Sequence, residues 1–263
     1  MSGDFSGKRV LLTGGSRGIG RATVLEFAKR GANVAFTYAS SAESAEAVRV
    51  EAETYGVTAM AIQSDVSDFE AAKALVASVK EAFGGIDVLV NNAGIVRDKL
   101  ILQMTESDWD EVMQTNLKGV FNITKHVAGV MVKQRKGRIV NIGSISGVAG
   151  FVGQTNYSAS KAALGGFTKA LSNELGRRNV TCVTLALGVV ETDMTSGLPV
   201  EYLAKMVERV DESWRHGVDF HIAEAADGAH VEFGIDARLQ VANELLAVLV
   251  PIAEGDDPQG IVA

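Results

Sequence analysis

One cysteine stands in the 263 residues, so no intrachain disulfide can brace this fold, and a reducing compartment suits it. That residue, Cys182, lies in the apolar run "VTCVTLAL", the setting of a buried structural thiol rather than a nucleophile. Proline is nearly as scarce: Pro199, Pro251 and Pro258 all fall in the last quarter, and no Pro/Ser-rich linker, repeat or low-complexity tract divides the chain. No cationic start leads into an apolar run, and the longest late one, "LLAVLVPIA", is too short to span a bilayer. A formal charge of −7 denies the chain the general basic surface that nucleic acid requires. These absences lead us to expect a cytoplasmic protein that binds neither membrane nor nucleic acid.

Glycine, by contrast, is abundant at 28 residues, and 47% of the chain is hydrophobic against 22% charged, a globular α/β composition. Short apolar strands are expected at 9–12, 33–37, 58–63, 88–91, 138–142 and 180–185. Helical patterns fill the intervals at 18–30, 41–55, 68–83 and 155–177, with a long helix opening near Glu106. Thr105 followed by Asp108 has the spacing of a capping box at that opening. Strands apolar on both faces and separated by helices predict a parallel sheet covered on both sides. The expectation is one doubly wound domain over 1–263.

The stretch "LLTGGSRGIGRA" joins the first strand to the first helix. Gly14, Gly18 and Gly20 fall where the chain must turn sharply, meet a phosphate without a Cβ, and pack helix on strand. The helix start offers unpaired amides and a positive dipole end to a pyrophosphate, which makes Ser16, Arg17 and Ile19 neighbours of a bound dinucleotide. A Rossmann-type fold follows. The second strand ends "VAFTYASS", with Thr37 and Tyr38 where an acid would bind a ribose diol and repel a 2′-phosphate. With Arg17 in the glycine loop to meet that phosphate, the expected cofactor is NADPH. In "SDV", Asp65 and Val66 are placed to meet the adenine, although Asp65 and Asp68 also read as helix caps. "NNAG" brings Asn92, Ala93 and Gly94 to a strand's carboxyl end, a backbone suited to turning beside a ligand.

Tyr157 and Lys161 in "YSASK" stand one helical turn apart, as either a helix-surface pair or a proton donor with its electrostatic assistant. A nearby ammonium favours phenolate and would bring the tyrosine toward working pH. Ser144, in the turn after "RIVNI", can polarise a carbonyl, whereas Ser146 and Ser158 read as structural. Asn116 in the long helix reads alone as an ordinary surface amide.

Together "TGGSRGIG", "NNAG", "NIGSISG" and "YSASK" resemble the short-chain dehydrogenase/reductase family, in its order and spacing. "VNNAGIVRDKLILQM", "MQTNLKGVFNITK" and "GVVETDM" are most similar to its 3-oxoacyl-[acyl-carrier-protein] reductases, and the likeness is dense from about residue 8 to 206. It implies NADPH-dependent reduction of a 3-oxoacyl thioester, in fatty-acid or polyketide assembly. It also implies a catalytic set of Asn116, Ser144, Tyr157 and Lys161, with the lysine holding the nicotinamide ribose and a helix distortion at the asparagine holding a water. Gly188, Val190 and Thr192 correspond to the segment around the nicotinamide, where Leu187 replaces the family's proline and is expected to loosen the loop. Arg135 and Arg178, in the basic stretches "VKQRKGR" and "GRRN", fall where carrier-docking arginines sit; a solvated helix end is the other reading.

The likeness weakens after Met206. Residues 207–239 are longer than the family pattern and stand where a substrate lid is expected, and "QGIVA" ends short of the expected closing strand. A homo-oligomer, tetramer or dimer, is the expectation. His216, His221 and His230 match no standard metal spacing. Two alternatives stand beside the leading one: a dehydrogenase of another ketone or alcohol, and a stabilising subunit of a related reductase.

Overall fold

The structure is a computed structural model, described here for residues 5–188. Among these residues the six strands are β1 (Arg9–Leu12), β2 (Asn33–Tyr38), β3 (Ala59–Gln63), β4 (Val88–Asn91), β5 (Gly137–Ile142) and β6 (Val180–Leu185). The seven α-helices among them are α1 (Gly18–Lys29), α2 (Ala42–Glu53), α3 (Phe69–Phe83), α4 (Glu106–Met113), α5 (Gly119–Gln134), α6 (Ser146–Ala149) and α7 (Thr155–Leu175). All strand pairs are parallel, in the order β3-β2-β1-β4-β5-β6.

The period-2 geometry of a strand explains why these runs are apolar throughout. Val10, Leu12, Val34, Phe36, Val88 and Val90 point to one face and pack with Val24, Phe27, Val48 and Ala52 of α1 and α2. Leu11, Ala35, Leu89 and Ile139 point to the other, against Leu75 and Val79 of α3 and Ile123, Val127 and Met131 of α5. Cys182 is buried and its thiol is pushed up to about 12 by that burial, which rules out a thiolate nucleophile there.

Helix ends are set locally. Asp68 caps α3 by accepting from the Glu70 and Ala71 amides, and Gly84 ends it at φ 77°. Thr105 and Asp108 form the capping box of α4. The distortion that the resemblance implies at Asn116 is present in the long helix: a π turn over Gln114–Lys118 separates α4 from α5. The expected lid at 207–239, the three histidines and the closing strand lie outside the described residues.

Candidate functional site

Strand order reverses on either side of β1, and at such a switch point the loops at the strands' carboxyl ends part to leave a crevice. A cavity of about 850 Å³ occupies it, with the glycine loop at one end and Ser144, Tyr157 and Lys161 at the other.

At the first end Gly14 and Gly18 take φ of 73° and 54°. A Cβ on Gly14 would lie 3.0 Å from Ala93 Cα, and one on Gly20 would lie 1.9 Å from the Gly14 oxygen. The first turn of α1 has no side-chain cap and no acid, so its amides face the cavity free to bind an anion. These features fit a dinucleotide pyrophosphate. Ser16, exposed Arg17 and Ile19 line the same end, as do Asp65 and Val66.

Three residues expected to touch the cofactor line the cavity and also hold its glycine loop in place. Thr37 is 1% exposed, and its Oγ1 accepts from the Gly14 amide at 3.1 Å. Asn92 Nδ2 donates to the carbonyls of Thr13 and Gly14 at 3.0 and 2.9 Å. The Ala93 amide donates to Thr13 Oγ1 at 3.0 Å. Asp65 accepts at Oδ1 from the Ser67 amide and hydroxyl, and the helix cap is Asp68, so Asp65 is no cap. Gly94 allows a close approach: a Cβ there would stand 3.3 Å from Asn116 Oδ1 and 3.7 Å from Lys161 Nζ.

The reacting end is assembled from α5's entry, β5 and α7. Asn116, within the π turn and 0% exposed, accepts from the Ile95 amide at 2.8 Å. Its Nδ2 donates to the Ile95 carbonyl at 2.9 Å and to Ser160 Oγ at 3.2 Å. It is therefore a buried clamp, not a surface amide. Ser144 is held between the Gly143 and Ile145 amides, which donate to the carbonyls of Leu185 and Leu187 at 2.7 and 2.9 Å. Leu187 is 4% exposed, so the residue that replaces proline packs into the core while its carbonyl accepts from the Ile145 amide. Gly188 lines the cavity; Val190 and Thr192 lie outside the described residues.

Lys161 Nζ donates to the Ile142 carbonyl at 2.6 Å and stands 5.7 Å from the centre of the Tyr157 ring. Burial lowers the Lys161 ammonium from 10.5 to about 8. The expectation that this ammonium acidifies Tyr157 is not met. Burial pushes the phenol above its ordinary value, a hydrogen bond with Ser144 pulls it back, and the Asp98 charge pushes it further up. Asp98 and Gln154 at the cavity mouth escaped sequence reasoning. Gln154 lies three residues before Tyr157 and Asp98 belongs to "VRDK", and neither residue type signals a site by itself.

Arg135 and Arg178 are exposed and close in the fold, their segments joined by a 3.2 Å bond from the Gly137 amide to the Asn179 carbonyl. They precede β5 and β6, however, so they flank the amino ends of strands whose carboxyl ends hold the cavity. Six residues of strand put roughly 20 Å between the two. Arg138, counted in the same basic run, is 8% exposed within β5 and donates to the carbonyls of Gly137 and Asn179.

A family model described as short chain dehydrogenase matches residues 8–202. The 3-oxoacyl-[acyl-carrier-protein] reductase FabG of Staphylococcus aureus is 45% identical over 216 residues, 82% of this chain and 87% of that one. The 3-oxoacyl-[acyl-carrier-protein] reductase of Synechocystis sp. is 46% identical over 197 residues, 75% of this chain and 80% of its own. A short chain dehydrogenase from Burkholderia cenocepacia, solved in complex with NADP, superposes with a TM-score of 0.75 at 34% identity, covering 97% of this chain and 95% of that one.

Proposed function

This chain belongs to the short-chain dehydrogenase family, and from that premise we propose that it reduces a 3-oxoacyl thioester, carried by acyl-carrier protein, to the 3-hydroxyacyl product with NADPH. The observation that carries the reading is a single cavity with an uncapped helix start and its glycine cradle at one end, and Ser144 and Tyr157 beside a buried lysine at the other. Bound NADPH supplies the hydride. Arg17 stands exposed over the loop, and no carboxylate follows β2 among Tyr38, Ala39, Ser40 and Ser41, which favours a 2′-phosphate.

Tyr157 is the proton donor. Its raised affinity for the proton keeps the phenol intact through neutral pH, ready for the alkoxide oxygen that forms on reduction. Ser144 polarises the substrate carbonyl and shares the phenol's hydrogen bond. Lys161 places a cation beside the phenolate left behind and would hold the nicotinamide ribose. Asn116 fixes the Ile95 backbone, which lines the same cavity.

Among the described residues no helix is long and apolar enough to cross a membrane, and a cytoplasmic location goes with this reading. Half-exposed Trp109 and Phe121 on α4 and α5 offer an apolar surface to a second copy, consistent with a homo-oligomer that solution mass would reveal.

The test is NADPH oxidation by the purified chain with acetoacetyl thioester, beside NADH and beside a cyclic ketone. Turnover should favour NADPH and the thioester, and Tyr157→Phe should cost roughly 10²–10⁴-fold in kcat. A preference for the cyclic ketone would reassign the substrate, and an unaffected Tyr157→Phe would remove the mechanism.

A further inference from the structure

The cavity mouth carries a line of hydrogen bonds that the proposed chemistry does not itself consume. Asp98 Oδ2 accepts from Gln154 Nε2 at 2.8 Å, and Gln154 Oε1 accepts from Ser146 Oγ at 2.9 Å. The Ser146 amide then donates to Ser144 Oγ at 3.1 Å, and Ser144 meets Tyr157. Gln154 and Ser146 are 5% and 1% exposed, so water cannot readily replace the bond between them, while Asp98 at the end of the line is exposed.

Asp98 sets the polarity of the whole line. A carboxylate only accepts, so the Gln154 amide must turn its NH₂ toward Asp98 and its carbonyl toward Ser146. The Ser146 hydroxyl must donate to that carbonyl, which fixes the residue and holds its backbone N–H against Ser144. With its oxygen engaged by that N–H, Ser144 keeps its own proton for the tyrosine oxygen. We propose that Gln154, oriented by Asp98, is a positioning residue for the Ser144–Tyr157 pair, and that the Asp98 charge couples this pair to pH. The inference rests on the reading of Ser144 and Tyr157 as the reacting groups.

Few charges compete for that coupling. Lys161 Nζ stands 5.7 Å from the centre of the Tyr157 ring on the same helix, and Asp98, exposed in the loop after β4, lines the same cavity. The neighbours of Asp98 are spent on α4: Arg97 on Glu111 at 2.7 Å and Lys99 on Asp108 at 2.8 Å. Arg17 and Asp65 line the opposite, cofactor end.

An anionic Asp98 opposes loss of the phenol proton, so its removal should let Tyr157 titrate lower. Reduction needs the protonated phenol, and its rate falls as pH rises through that titration. The alkaline limb of kcat should therefore move to lower pH in Asp98→Asn, with kcat down about tenfold and the KM for NADPH unchanged. Gln154→Glu sets two carboxylates together and should lose more. The pair Asp98→Asn with Gln154→Glu restores a donor facing an acceptor, since the new amide donates and the new carboxylate still accepts from Ser146. That double variant should recover most of the Gln154→Glu loss.

Steady-state profiles of the four proteins and of Tyr157→Phe decide the matter. If the single variants keep wild-type kcat and limb while Tyr157→Phe is inactive, the positioning role is wrong and the catalytic reading survives. Simple additivity in the double variant would equally overturn the role. An active Tyr157→Phe would instead bring down the reading beneath it.

Discussion

At the cofactor end of the cavity, Gly14, Gly18 and Gly20 act by having no side chain. At the reacting end, Asn116, Ser144, Tyr157 and Lys161 act through atoms that neighbouring groups hold in place. The supports differ to match. Thr13, Thr37 and Asn92 fasten backbone to backbone around the loop, whereas Ser146, Gln154 and Ser160 fasten side chains. The first end is thus defined by space and the second by polarity, and substitutions at the two should fail in different ways.

The largest effect is expected from Gly20→Ala. Its Cβ would meet the Gly14 oxygen at 1.9 Å and Asn92 Nδ2 at 2.7 Å, so the loop or the helix start must move. Fluorescence titration should show NADPH affinity lost, with stability down by about 3 kcal/mol or more. Tyr157→Phe, by contrast, should bind NADPH normally and fail only in turnover. If both variants lost affinity and rate alike, the division between the two ends would not hold.

Lys161→Met sharpens the comparison from the other side. Holding the ammonium at about 8 rather than 10.5 costs the fold roughly 3 kcal/mol below pH 8, because the unfolded chain holds that proton more tightly. The variant should therefore be inactive yet melt higher at neutral pH. Its advantage should shrink as pH rises from about 8 toward 10.5, where the wild-type lysine sheds its charge in both states. A variant that melts lower at neutral pH would show that the lysine bonds more than it burdens.

Arg135→Glu with Arg178→Glu should have the smallest effect, since both lie at neither end of the cavity. Stability should change by less than about 0.5 kcal/mol per exposed site. KM for a carrier-linked substrate should rise while that for a small thioester stays put. Equal behaviour with both substrates would remove these arginines from carrier docking.

Much of this layout was legible in the sequence because local rules and global fold agree there. The six strands announce themselves as apolar on both faces, and the Thr105–Asp108 box opens its helix at Glu106 as its spacing predicts. That Ser144, Tyr157 and Lys161 belong together was legible through the resemblance, and all three line one cavity. The π turn was legible only through the resemblance, which implies a helix distortion at Asn116; the composition of Gln114–Lys118 does not announce it, and the partner that Asn116 clamps, Ile95, lies 21 residues away. The Asp98–Gln154 bond spans 56 residues, beyond any local pattern. Arg138 reads as part of a basic surface until pairing with β4 and β6 buries its strand. The sense of the Tyr157 shift also needed the fold, since a one-turn spacing to Lys161 says nothing of where the ammonium is anchored.

The wide turn between α4 and α5 has one more consequence. By breaking the even succession of rungs at Gln114–Lys118, it makes a seam at which unwinding can halt. Fraying that begins at Glu106 need not travel into the segment packed against the sheet, so deuterium should invade the two stretches on separate clocks.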